Sequence, residues 1–163
     1  MFLCRWLTAL VLGMSATAFA QSPAPTAAQR ALIDLHYSAY GVAGDAAKIF
    51  AQTTTADFQS CGANGSECQG REPLAGQLGG IKKGLPDMKW EVLEVIAAGD
   101  RIIVRGQGSG TPAGPFFGVP HTGRSFKVMS IDIHTLRDGK IAYTHHLEDW
   151  AGAIRQLTGQ SGH

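Results

Sequence analysis

Five titratable residues cluster near the C-terminal end of this 163-residue chain: Asp132, His134, Tyr143, His145 and Asp149. The dipeptide Asp138-Gly139 stands between them, and a two-residue hairpin of that type sets the register of the strands it joins. Counting outward from it, Arg137 faces Lys140, His134 faces Tyr143 and Asp132 faces His145. Side chains alternate, so Asp132, His134, Tyr143 and His145 share one sheet face, with Asp149 in line at the strand's end. Ile131, Ile133, Ala142, Thr144 and His146 take the other face. A carboxylate beside two imidazoles is equipment for acid/base chemistry, with His134 and His145 as acid and orienting partner and Asp132 holding the His145 tautomer. The same groups read equally as hydrogen-bonded pocket histidines. The face itself is either the polar floor of a cavity or the solvated side of a sheet whose core side carries Ile131 and Ile133.

Asp149 directly precedes a helical pattern and has two readings. As an N-cap its carboxylate accepts the first free backbone amides, which also lowers its pKa; as a general base it needs an apolar pocket that raises its pKa. His145 and His146 are adjacent and point to opposite faces of a strand, so they make no metal pair, and no third ligand accompanies them. Neither a nucleophile triad nor a phosphate-cradling glycine loop is present, and no cofactor is expected. Trp90, Tyr40 and Phe58 are expected as pocket wall or core. Arg105 pairs with a carboxylate or lays its stem along apolar surface. A weaker possibility joins Asp132, Arg105 and Asp149 around an activated water.

The elements that must position these groups follow from periodicity. Thr26 and Gln29 form a capping box, and Ala28, Leu32, Leu35 and Ala39 recur at helical spacing, predicting a helix over 27–40. Asp45 caps a short helix through Phe50, and a short strand spans 57–61. A third helix opens at Pro73 and carries Leu74, Leu78 and Ile81 on one face before Gly84. From Met88 the period becomes two: strands flank the Ala98-Gly99-Asp100 turn, and a loop covers 108–123. Ser125 to Leu136 and Ile141 to Leu147 form the second hairpin, and a last helix runs from Trp150 to about Leu157. Three helices, an antiparallel meander and a closing helix make an α+β domain.

The N-terminal residues read as a secretory signal over 1–20. Arg5 precedes an apolar run from Trp6 to Met14, and Ala18-Phe19-Ala20 is the cleavage site. The run is too short to span a bilayer, so no membrane anchor is expected. Residues 21–26 are a linker and 27–160 the domain. Cleavage removes Arg5, leaving 13 basic against 13 acidic residues, a balance that attracts neither nucleic acid nor an anionic membrane. Cys61 and Cys68 remain in a Gly- and Ser-rich loop, where export permits a disulfide between them.

Several motifs, in order, resemble the SnoaL-like ester or polyketide cyclase branch of the nuclear transport factor 2-like superfamily. They are Pro86-Asp87, Gly99-Asp100-Arg101, Gly118-Val119-Pro120-His121-Thr122-Gly123-Arg124, Asp138-Gly139-Lys140-Ile141 and Glu148-Asp149-Trp150 leading to Gln156-Leu157. The resemblance implies a cone whose curved antiparallel sheet wraps around the helices, an apolar cavity for a small-molecule ligand or substrate, and a homodimer. It favours Asp132, His134, Tyr143 and His145 as the pocket face. It also implies that Asp149 draws a proton from carbon beside a carbonyl, assisted by His134, in a cyclase- or isomerase-type reaction. A non-catalytic exported binding protein is the other function compatible with such a pocket.

Overall fold

The computed structural model describes residues 24–62 and 64–160, so the expected signal segment lies outside the described residues. Nine elements follow one another: α1 (Ala27–Ser38), α2 (Ala46–Thr53), β1 (Thr54–Gly62), α3 (Arg71–Gly84), β2 (Lys89–Ala98), β3 (Arg101–Gly110), β4 (Phe126–Arg137), β5 (Lys140–Glu148) and α4 (Trp150–Thr158). Local chemistry accounts for their ends. Thr26 and Gln29 close a reciprocal capping box on α1, Asp45 accepts from the Lys48 amide at the start of α2, and Asp149 accepts from the Gly152 amide at the start of α4. Gly159 ends α4 in the left-handed conformation.

The five strands form one curved sheet in the order β1-β5-β4-β3-β2. The meander β2 to β5 is antiparallel as expected, but β1 joins the edge of β5 in parallel, so the sheet is mixed. α1 leans across its concave face, where Ile33 and Tyr37 meet Phe58, Ile102, Val104 and Ile141. A second core unites Phe50, Leu78, Leu85, Phe126, Val128 and Leu157 from the remaining helices and the far end of the sheet. The buried face of α1 is rotated from the expected one: Ile33, His36 and Tyr37 point inward and Leu35 is 41% exposed. Packing against a concave sheet selects the stripe that fits its curvature, and hydropathy alone does not rank Leu35 against Ile33.

The second hairpin departs from the expected register, and the departure reorganises the site. Asp138 and Gly139 both take positive φ, and Arg137 pairs with Lys140 as expected. Leu136 pairs with Ile141, but Thr135 pairs with Tyr143, leaving Ala142 as the extra residue of a β-bulge. From there on Asp132 faces His146, Ile133 faces His145 and His134 faces Thr144. A one-residue slip transfers every later side chain of β5 to the opposite face. Tyr143 and His145 therefore sit on the outer side of the sheet, against the expectation, while Thr144 and His146 enter the concave side.

Candidate active site

The concave face holds a continuous polar chain. Tyr37, on α1, donates its hydroxyl proton to Asp132 Oδ2 at 2.7 Å, and its oxygen lies 2.9 Å from His134 Nε2. A phenol has one proton to give, so His134 must donate from Nε2 to Tyr37, and its Nδ1 accepts from Thr144 Oγ1 at 2.8 Å. On the other side of Asp132, His146 Nδ1 lies 2.5 Å from Oδ1. His146 Nε2 is 3.2 Å from Glu148 Oε2, which also takes the Trp150 indole N–H at 2.6 Å. The chain runs from Thr144, buried in the sheet, to Glu148, on the wall of the cavity described below.

Burial and charge sort these groups. Burial pushes His36 down to about 3, with His134 adding to the effect, and pushes His134 down to about 4 against the opposing pull of Asp132. Both imidazoles are neutral. His146 is the opposite case: burial disfavours its charge, but the hydrogen bonds and charges of Asp132 and Glu148 raise it to about 10. Burial would raise the Asp132 carboxyl, yet the bond and charge of His146 hold it below the usual carboxylate range. Tyr37 and Tyr40 are both raised, by burial first and by the Asp132 carboxylate next, and keep their protons. The result is an imidazolium clamped between two carboxylates, a net charge of minus one.

This cluster borders a cavity of about 110 Å³. Its walls are Leu74, Leu78 and Ile81 of α3 and Leu85, Met88, Trp90, Phe126, Val128 and Trp150; its polar end is Tyr40, Ser60, Gln69, Gln77, His146 and Glu148. Trp90 stands on Gly106 and Gly108 of β3. A Cβ on either glycine would come within 2.8 Å of the indole, so glycine is what lets the ring lie against the sheet. The space takes a compound of no more than about one ring, since a cavity of roughly 150 Å³ is filled by benzene.

The expected site residues are distributed as follows. Asp132 and His134 are brought together, and Tyr40 and Trp90 line the cavity. Phe58 is buried in the α1 core instead. Arg105 projects from the outer face and pairs with Glu94 at 2.9 Å, because its strand neighbours Ile102 and Val104 occupy the inner positions. The suggested cluster of Asp132, Arg105 and Asp149 around one water is therefore not formed. Asp149 Oδ1 is spent on the Gly152 amide at 2.8 Å, and the residue is not among those lining the cavity. Tyr143 and His145 contact each other on the outer face, their ring centroids 4.8 Å apart. Cys61 and Cys68 are joined in a disulfide. Among the described residues, no three of His, Cys, Asp and Glu are arranged to hold a metal ion.

Tyr37, His146 and Glu148 escaped the sequence reading. Tyr37 stands four residues after Ile33 and was detectable by helical spacing. Counting outward from the turn puts His146 on the opposite face, because the bulge falls at Ala142, a residue with no turn signature; Glu148 stands beside Asp149 at the strand end, where only the fold shows which carboxylate meets His146.

Residues 34–157 match the family of SnoaL-like polyketide cyclases. A comparison with curated proteins gives no match. Among solved structures, a protein assigned as a SnoaL-like polyketide cyclase from Jannaschia sp. CCS1 superposes with a TM-score of 0.70 at 21% identity, over 88% of this chain and 100% of its own. IdmH of Streptomyces antibioticus, assigned as a polyketide cyclase, gives 0.70 at 23% identity over 79% of this chain and 97% of its own. A protein with a ketosteroid isomerase-like fold from Catenulispora acidiphila, solved with trimethylamine, gives 0.63 at 16% identity over 78% and 92%. At these identities the likeness is one of fold.

Proposed function

Because the chain belongs to the SnoaL-like polyketide cyclase family, we propose that it is a cofactor-free acid/base enzyme of cyclase or isomerase type, acting on a small carbonyl compound held in the apolar cavity. The observation that carries this reading is the His146 imidazolium held between Asp132 and Glu148 at the cavity wall. Both contacts to Glu148 fall on Oε2, which leaves Oε1 to take a substrate proton. The proton leaves carbon beside the carbonyl for Oε1 as the electron pair moves into the enolate. Tyr40, kept protonated by burial, donates to the developing oxyanion. Attack of the enolate carbon on a second carbonyl carbon opens that C=O to an alkoxide, which takes the proton back from Glu148 as the carbon–carbon bond closes; return of the proton instead to another carbon of a conjugated enolate is an isomerisation. His146, itself held by Asp132, donates to Oε2 and keeps Glu148 in place.

The test is deuterium uptake from D2O at the carbon beside the carbonyl of single-ring ketones, followed by NMR. Glu148→Gln should lower the exchange by roughly 10²–10⁴-fold. Asp149→Asn should keep it within about twofold, since asparagine also caps helices well. The reverse pattern would return the basic role to Asp149. The engagement of Asp149 as a cap is what favours the second reading, a binding protein for a small carbonyl ligand. That reading predicts a co-purifying ligand released unchanged and no exchange in the wild type.

The disulfide, together with the apolar run ahead of Ala18-Phe19-Ala20, supports placing this activity outside the cytoplasm. The homodimer uses the outer sheet face. There Met129 is 51% and Leu147 55% exposed, beside Ile131 and Ile133. Leu147→Asp should turn a dimer into a monomer in sedimentation velocity; an unchanged sedimentation coefficient removes this face from the assembly.

A further inference from the structure

Helix α3 forms one wall of the cavity through Leu74, Gln77, Leu78 and Ile81, yet its sequence works against its own helicity. Gly76, Gly79, Gly80 and Gly84 occupy four of its 14 positions. A Cβ built on any of them meets nothing within 4 Å, and none has positive φ, so neither close packing nor backbone conformation calls for glycine. Each interior glycine weakens a helix about fourfold relative to alanine. Gly70, at the N-cap, supplies no side-chain bond, and Leu78 is the only buried residue of the helix.

The ends of α3, by contrast, are tied down. Before its first turn, Ser60 and Gln69 exchange two backbone hydrogen bonds of 2.8 Å, beside the Cys61–Cys68 disulfide. In its last turn, Lys82 Nζ donates to the carbonyls of Ala39 and Gly44 at 2.6 Å each, and the next residue, Leu85, is buried. Between these anchors, Gln77 is latched to Gln69 by one exposed hydrogen bond of 2.6 Å at the cavity rim.

We propose that α3 is the gate of the pocket: its glycine-weakened middle opens between two fixed ends to admit and release the ligand. The proposal rests on the cavity being the ligand site and is independent of any chemistry at Glu148. Gly76 and Gly80 are exposed and free of neighbours, so Gly76→Ala and Gly80→Ala strengthen the helix without touching the wall.

Hydrogen exchange read by mass spectrometry should show α3 amides opening at least about 100-fold more often than those of β3 and β4. The double alanine variant should reduce that opening about 16-fold. Fluorobenzene, followed by ¹⁹F NMR line shape, should bind saturably. In the variant its on- and off-rates should fall by the same factor, leaving its affinity unchanged, as a gate requires. α3 protection equal to that of the sheet, no saturable fluorobenzene binding, or exchange rates unmoved by the two alanines would each overturn the proposal. Loss of gating with Glu148-dependent deuterium uptake intact would leave the proposed chemistry standing.

Discussion

Replacing His146 with leucine should destabilise the protein by about 3–5 kcal/mol at pH 7, among the largest effects a single substitution can have here. The Asp132 side chain is only 4% exposed and its Oδ1 has the imidazolium at 2.5 Å, while Glu148 stands on the other side of the ring. Removing the cation leaves a buried carboxylate without its counter-charge, with a second one nearby. The cost then comes from the charge left behind, so removing that charge as well should recover much of it. Asp132→Asn keeps an acceptor for Tyr37 and is neutral; the double variant His146→Leu/Asp132→Asn should be more stable than His146→Leu alone by 2 kcal/mol or so. Urea unfolding of the four proteins in this cycle measures both quantities. A loss below about 1 kcal/mol for the single variant, or no recovery in the double, would show that the three charges are not coupled as the distances require.

A second large effect concerns pH. An unperturbed histidine in the unfolded chain titrates near 6.5, whereas in the folded protein His36 and His134 are lowered to about 3 and about 4, and His146 is raised to about 10. Between about pH 4 and 6.5 the unfolded chain protonates all three, and the native protein protonates His146 alone. Two more protons on the unfolded side make stability rise with pH by about 2.7 kcal/mol per unit. Above 6.5 the native state holds the one extra proton, on His146, and stability falls by about 1.4 kcal/mol per unit until His146 titrates. The lowered carboxyl of Asp132 contributes stability above its ordinary value of 3.8 that is lost as the pH falls through its folded value. Stability should therefore peak near pH 6.5, with an acid limb about twice as steep as the alkaline one. Thermal or urea unfolding across pH 4–10 checks this. A flat profile, or a maximum above pH 8, would contradict the burial of two neutral imidazoles beside one charged one.

Much of the fold was legible in the residues themselves, wherever local chemistry is sufficient. The capping box at Thr26, the caps at Asp45 and Asp149, the period-two strands from Met88 and the Asp138-Gly139 turn each depend on groups within a few positions of one another. α2 and β1 meet end to end at Thr53 and Thr54, extending both beyond their expected limits; the strand starts early because Thr54 already pairs with Ile141 of β5.

The site was legible only in part. Asp132 and His134 precede the turn and keep the face expected of them, and Tyr40 and Trp90 are where large aromatics were expected. Tyr143 and His145 were assigned to that face and lie on the other, for a reason that follows from the arithmetic of a strand. With a side-chain period of two, one unpaired residue inverts every later assignment, and Ala142 carries nothing in its type to announce a bulge.

What the sequence determined by itself was therefore the set of elements, their order, the hairpin turn and the supply of acid/base groups, since those rest on interactions between near neighbours. The tertiary structure alone decided which of those groups meet. The bulge brings His146 to Asp132, the lean of α1 brings Tyr37 to both Asp132 and His134, and the parallel pairing of β1 brings Ser60 to the pocket rim. The contacts of Tyr37 and of β1 join elements distant in the chain, and the bulge that turns His146 inward lies within one hairpin but is set by how that hairpin packs; all are selected by how surfaces fit, a quantity that residue types in a short window do not contain.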